Sequence, residues 1–200
     1  MLGTAHRGAH LDRVGVDSAG AAELCTTHLI HRGRRRLALI GAGGGAAHAG
    51  ATVREQGFRR AVHRSGIAVP AARVRPLARW TTQHGAEATT AMMREDPAVD
   101  GIVAANDQAA VGVLHALRAM GCRVPDDVAV TGVDDDDLAR DGSPALTSVR
   151  LPVREMADTA VLLLTERITG LLEPGRLRVF TGSLVVRPSS DSPQRPAART

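Results

Sequence analysis

Asn106 is the single asparagine of this 200-residue chain, and Asp107 follows it directly. A carboxamide presents a donor and an acceptor together, the equipment for gripping a sugar hydroxyl or a purine edge. The plainer alternative is a turn in which Asp107 caps the next helix. Asp134-Asp135-Asp136-Asp137 is a second candidate. Four adjacent carboxylates cannot all converge on one hard cation, and the glycine and glutamate spacing of a calcium loop is absent. One inward carboxylate followed by a solvated loop is the simpler expectation. Gly41-Ala42-Gly43-Gly44-Gly45-Ala46 fits the G-x-G-x-x-G/A pattern that cradles a dinucleotide. That fold wants an acidic residue at the end of the following strand, where this chain has Arg79, which suits at best a 2′-phosphate. His28 and His31 lie three apart with no third ligand near them, and Ser18, Ser65, Ser143 and Ser148 lack the setting of a nucleophile elbow.

Composition removes further classes. All 25 basic residues are arginine and tyrosine is absent, so neither a lysine nor a tyrosine is available to phosphate-loop, Schiff-base or reductase chemistry. The aromatics are Phe58, Trp80 and Phe180, too few for a base-stacking RNA-binding sheet. The net charge is only +4, and the densest basic stretch, His31-Arg32-Gly33-Arg34-Arg35-Arg36, falls where a helix ends. Cations there suit the negative end of the helix dipole, a simpler account than a DNA-binding patch. Cys25 and Cys122 cannot form a disulfide framework. Residues 1–7 lack the apolar run of a secretory signal, and no stretch approaches the ~18 apolar residues of a membrane span. These features together predict a cytoplasmic protein with no membrane partner.

Apolar periodicity supplies the elements that must position the candidates. Helices are predicted at 19–32, about 50–65, 82–95, 107–121 and 154–169. Short buried strands are predicted at 37–40, 74–78, 101–105 and 128–133, with further strands at 177–180 and 183–187. Residues 1–13 read as a poorly ordered start. The Pro-, Ser- and Arg-rich tail from Pro188, above all 191–200, reads as disordered. Alternating strands and helices imply an α/β fold, a parallel sheet with helices on both faces. Ligands of such sheets sit outside the carboxyl ends of the strands. That edge gathers the glycine loop after Ile40, Trp80, Asn106-Asp107 and the aspartate run after Val133.

Several segments in order resemble the effector-sensing domain of the LacI/GalR family of bacterial transcription regulators. They are Val16-Asp17 with His28-Leu29-Ile30, Arg54-Glu55-Gln56-Gly57-Phe58, Asn106-Asp107-Gln108-Ala109-Ala110 and Pro125-Asp126-Asp127-Val128. Gly132-Val133-Asp134-Asp135, Pro144-Ala145-Leu146-Thr147-Ser148-Val149 and Val185-Val186-Arg187-Pro188-Ser189 complete the series. The resemblance implies a periplasmic-binding-protein-like fold of two α/β lobes, no enzyme activity and no cofactor. It assigns effector contacts to Arg54, Trp80, Asn106 and Asp134, a set suited to a sugar. It places the sensor at 14–190, with 16–150 and 178–190 in the carboxyl-terminal lobe and 151–177 in a remnant of the other lobe. It further implies a homodimer formed partly through the helix at 107–121, and DNA contact only through a helix-turn-helix that has no counterpart here. The expected protein is an amino-terminally truncated sensor. An NADP-dependent oxidoreductase built on residues 41–46 and a free-standing sugar-binding protein are the alternatives. Because the helix at 154–169 is apolar nearly all round, loss of its lobe would expose Leu162 and Leu163 and favour a dimer or larger assembly.

Overall fold

The computed structural model describes residues 11–43, 49–170 and 174–191. The chain forms β1 (Arg13–Val16), α1 (Ser18–His31), β2 (Leu37–Ala42), α2 (Ala49–Arg64), β3 (Val74–Pro76), α3 (Thr82–Glu95), β4 (Gly101–Ala104) and α4 (Asp107–Ala119). It continues through β5 (Ala129–Asp134), α5 (Asp137–Asp141), β6 (Thr147–Arg150), α6 (Val153–Ile168), β7 (Leu177–Phe180) and β8 (Ser183–Val185). Six strands make one sheet in the order β3-β2-β4-β5-β6-β8, parallel except for the antiparallel pair β6–β8. The predicted α/β architecture therefore holds.

Period-two alternation divides the sheet's side chains between two cores. Leu37, Leu39, Val103, Ala129 and Val133 face α1 and α2, meeting Cys25, Leu29, Phe58 and Val62. Ala38, Ile40, Ile102, Ala104 and Val130 face α3 and α4, meeting Met92, Val113 and Leu117. Strands buried on both faces lose the alternation of a half-exposed sheet, which is why β2 and β4 read as continuous apolar runs. The two helices on each face pack closely. A Cβ on Gly57 of α2 would come within 2.0 Å of the Ala19 carbonyl oxygen on α1, so only glycine allows that approach. The basic run after α1 is structural: Arg35 donates to the Ile30 carbonyl at the helix end, and Arg34 to the carbonyls of Pro125 and Asp126.

Three expectations need correction, and three elements were not foreseen. Residues 1–10 of the expected loose start lie outside the described residues, but residues 11–13 are held through Asp12. Asp12 accepts from Arg167 at 2.9 Å and from the Arg176 amide at 2.8 Å, and these arginines hold its carboxyl far below the usual range. Residues 192–200 also lie outside, yet Pro188–Asp191 are fixed. Ser189 is fully buried and donates to the Val130 carbonyl at 2.7 Å, while Ser190 bonds His28 at 2.8 Å. Short hydroxyls satisfy strand-end carbonyls that a composition count cannot see. Third, Arg178–Phe180 do not join the main sheet: β7 pairs with β1, Val14 opposite Arg178 and Val16 opposite Phe180, in a separate two-stranded parallel sheet. Residues 11–16 and 174–180 therefore go with α6, whose Arg167 pairs with Asp12. Last, β1, β6 and α5 were not predicted.

No helix among the described residues is long and apolar enough to cross a membrane. On α6, Leu162 is 59% exposed and Leu164 61%, with Val161 and Ile168 beside them, whereas Leu163 is only 5% exposed and lines a cavity together with Leu11 and with Val14 of β1. The expectation of exposure holds for Leu162 and fails for Leu163. Leu162→Glu should change stability by no more than about 0.5 kcal/mol and reduce self-association. Leu163→Ala should cost about 2–5 kcal/mol. Urea unfolding with light scattering on both variants checks the contrast.

Candidate functional site

Three of the four effector-contact candidates meet at the carboxyl ends of β2, β4 and β5. The order β3-β2-β4 reverses the winding direction at β2 and β4, which opens a crevice there. Arg54 enters from the first turns of α2. It is 7% exposed, and its Nη1 donates to the Ala105 carbonyl just past β4. Its guanidinium lies over the Trp80 ring, 4.5 Å from the centroid, a cation–π contact worth about 0.5–2 kcal/mol at such burial. Its Nη2 is 4.0 Å from Asp134 Oδ1, and its Nε has no hydrogen-bond partner among the described residues.

Burial governs the electrostatics of this pair. It lowers the Arg54 pKa despite the attraction of Asp134, and pushes the Asp134 carboxyl up to about 6 despite the attraction of Arg54. Both charged forms are thus disfavoured, as expected when desolvation exceeds an attraction acting over 4.0 Å.

The cap expected at Asp107 falls to Asn106. Asn106 is the helix cap: its Oδ1 accepts from the Ala109 amide at 3.0 Å, and its Nδ2 donates to the Trp80 carbonyl at 3.4 Å. Asp107 is the first residue of α4 and fully buried. It accepts from Ser148 Oγ at 2.6 Å and from the Asp136 amide at 3.1 Å, and burial pushes its carboxyl up to about 7.

The aspartate run also departs from expectation. Asp134 is half-buried beside Arg54. Asp135 is buried too, paired with Arg150 Nε and Arg187 Nη2, each at 2.6 Å. Asp136 caps α5 through the Ala139 amide, and the exposed Asp137 pairs with Arg140. Two carboxylates point inward rather than one, because β6 and the segment after β8 deliver arginines from 15 and 52 positions away. No local pattern signals such partners. Among the described residues no three His, Cys, Asp or Glu side chains are grouped to hold a metal ion. Gly41 and Gly43 carry the chain out of β2 with positive φ, while residues 44–46 of the glycine loop lie outside the described residues.

The periplasmic binding protein-like domain family matches residues 26–190. The structure of a LacI-family transcriptional regulator from Arthrobacter sp. FB24 in complex with lactose is 31% identical, with a TM-score of 0.83, and the match covers 95% of this chain and 70% of that one. The chain belongs to the LacI family. The transcriptional regulator CelR of Thermobifida fusca is 38% identical over 177 residues, 88% of this chain and 51% of that protein. A structure of CelR in complex with cellobiose is 34% identical with a TM-score of 0.85, covering 90% of this chain and 54% of that one. This LacI-family chain thus spans about half the length of the curated relatives it matches. Those relatives are named as transcriptional regulators, and none as an oxidoreductase.

The buried pair generates a pH-dependent test. Asp134 titrates near 6 in the folded chain and near its ordinary 3.8 when unfolded. Its contribution to stability is therefore greatest below about 4 and is lost as pH rises through 6. Arg54→Met removes the cation that restrains this loss. Asp134 should then titrate above 6, and the variant should lose more stability at pH 8 than at pH 5. The loss at pH 8 should reach about 1–3 kcal/mol, below that of a fully buried pair because the Asp134 side chain is 40% exposed. Urea unfolding at the two pH values measures it.

Proposed function

We propose that this chain is the effector-sensing part of a LacI-type regulator and binds a sugar at the carboxyl edge of its main sheet. The observation that carries the reading is Arg54, buried over the Trp80 ring and 4.0 Å from Asp134 at the switch point between β2 and β4. A flat aromatic face, a forked donor and a carboxylate acceptor match the apolar faces and equatorial hydroxyls of a pyranose. Relatives solved with cellobiose and with lactose support this ligand class. Trp80, Arg54 and Asp134 are the contact residues. Asn106 joins them at the rim while holding Trp80 and α4 in place.

The whole regulator acts in the cytoplasm as a homodimer, formed partly along α4, and reaches DNA through a helix-turn-helix outside the residues described here. Effector binding in this sensor alters DNA binding by changing dimer geometry. The chain alone should lack a sequence-specific footprint on duplex DNA, any residual binding by its arginines vanishing as salt rises.

Trp80 is the only tryptophan, so its fluorescence reports the site directly. Titration with cellobiose and with lactose should give a saturable change for at least one of them. Trp80→Leu should weaken that sugar's binding, followed by calorimetry, at least about tenfold, as should Asp134→Asn, roughly 1.4 kcal/mol each. Absence of binding to both disaccharides at millimolar concentration would count against a disaccharide effector.

A further inference from the structure

We propose that Asp107 is a positioning residue for the site: its carboxylate, acting through Ser148 and the Asp136 amide, holds the backbone turn that aims Asp134 at Arg54. The inference rests on the reading of Arg54, Trp80 and Asp134 as the effector site and names what keeps that site in register.

Asp134 and Asp135 adopt φ of 119° and 57°, two consecutive non-glycine residues in the left-handed region. Side chains rarely accept this conformation unless their surroundings impose it. Here the imposition is visible. Asp135 N donates to Ser148 Oγ at 3.1 Å, Ser148 Oγ donates to Asp107 Oδ1 at 2.6 Å, and Asp136 N donates to Asp107 Oδ2 at 3.1 Å. Both carboxylate oxygens are thus spent on the turn. Space for them is left at Gly132, where a Cβ would come within 2.3 Å of Asp107 Oδ1. Position is fixed by α4, since Asp107 is its first residue and the helix amino terminus suits a carboxylate.

Asn106 and Asp107 divide the work between the two walls of the Arg54 slot. Asn106 ties down the Trp80 carbonyl, and Asp107 ties down the segment bearing Asp134. The outer side of the turn is gripped independently: Arg150 and Arg187 pair with the Asp135 carboxylate, and Arg140 donates to its carbonyl at 2.9 Å. Loss of Asp107 therefore loosens the turn from inside while the loop stays attached. The groups that face Asp107 are Cys25 on α1, Arg54 on α2, Asp134 and Asp136 beside the turn, and Ser148 on β6.

The test uses the full chain with Asp107→Asn, Asp107→Ala and Ser148→Ala, the fold of each checked by its amide spectrum. The single indole N–H resonance, from Trp80, is followed against pH, because Arg54 stacks on that ring and faces Asp134. Wild type should show a step near pH 6 from Asp134 and one near pH 7 from Asp107. In Asp107→Ala and Ser148→Ala a released, solvated Asp134 should titrate lower, its step falling by about one unit or more toward the ordinary carboxyl range. Asp107→Asn can still accept from Asp136 N and can donate to Ser148 Oγ. It should lose the upper step and keep the lower. Cellobiose or lactose, whichever wild type binds, should bind about tenfold weaker to the first two variants and near-normally to Asp107→Asn. An unmoved lower step in a folded Asp107→Ala or Ser148→Ala chain overturns the proposal, and Ser148→Ala decides if Asp107→Ala does not fold. Should wild type bind neither sugar, the effector reading fails, while the indole titration still decides the positioning role.

Discussion

Arg54 keeps its positive charge on burial, and the arrangement of the sheet's carboxyl edge follows from that constraint. An arginine only 7% exposed needs partners on every side that water has left. The Ala105 carbonyl supplies one, the Trp80 face another and Asp134 a third, each from a different strand end. Their meeting depends on the register in which β2, β4 and β5 lie side by side, and on α2 lying close enough to α1 to send Arg54 over the edge. Gly57, one turn along α2, permits that approach. The sequence R-x-x-G-F therefore combines three physical requirements on one helix: a charge at the rim, a missing side chain at the crossing, and Phe58 fully buried in the core.

Compensation of the Arg54 charge is incomplete. Both Arg54 and Asp134 shift against their charged forms, so the protein holds two polar groups in a setting that only partly replaces water. A fold dominated by stability would replace such a pair with apolar side chains at little cost. Its retention at a topological switch point, beside the only tryptophan, is the usual mark of a site whose polar groups are arranged for a ligand.

The main sheet was legible because its strands are buried on both faces and its helices are long enough to show their period. Trp80, Asn106 and Asp134 were legible because the strand-end rule gathers them at one edge, whereas Arg54, on α2, was assigned by the family resemblance alone. What escaped the sequence has a common physical character: partners far apart along the chain. Asp135 reads as part of a solvated acidic run until β6 and the carboxyl-terminal segment bring Arg150 and Arg187 to it. Ser189 and Ser190 read as tail until the carbonyl of Val130 and the ring of His28 are seen beside them. The cap was expected at Asp107 rather than at Asn106 because both residues can cap a helix. Burial alone decides which is free to do so, and the deeper carboxylate is claimed by Ser148.

These long-range pairs also join the candidate site to the segments that connect the main sheet with α6. Arg150 ends β6, just before the chain leaves at Leu151-Pro152 for α6, and it is registered opposite Ser183, just after the return through Thr181-Gly182. Asp17, just after β1, is bound to the end of β7: its amide donates to the Phe180 carbonyl at 2.8 Å. Asp135 grips Arg150 on one side and Arg187 on the other, while its own amide is tied through Ser148 to Asp107. A displacement of the Asp134-Asp135 turn must therefore be matched by two arginines or leave a buried carboxylate unpaired, a state that costs several kcal/mol, of order 3–5. The turn that carries Asp134 and the strand that leads out to α6 are thus fastened together through the buried Asp135 carboxylate, by the half-exposed Arg150 on one side and the more buried Arg187 on the other.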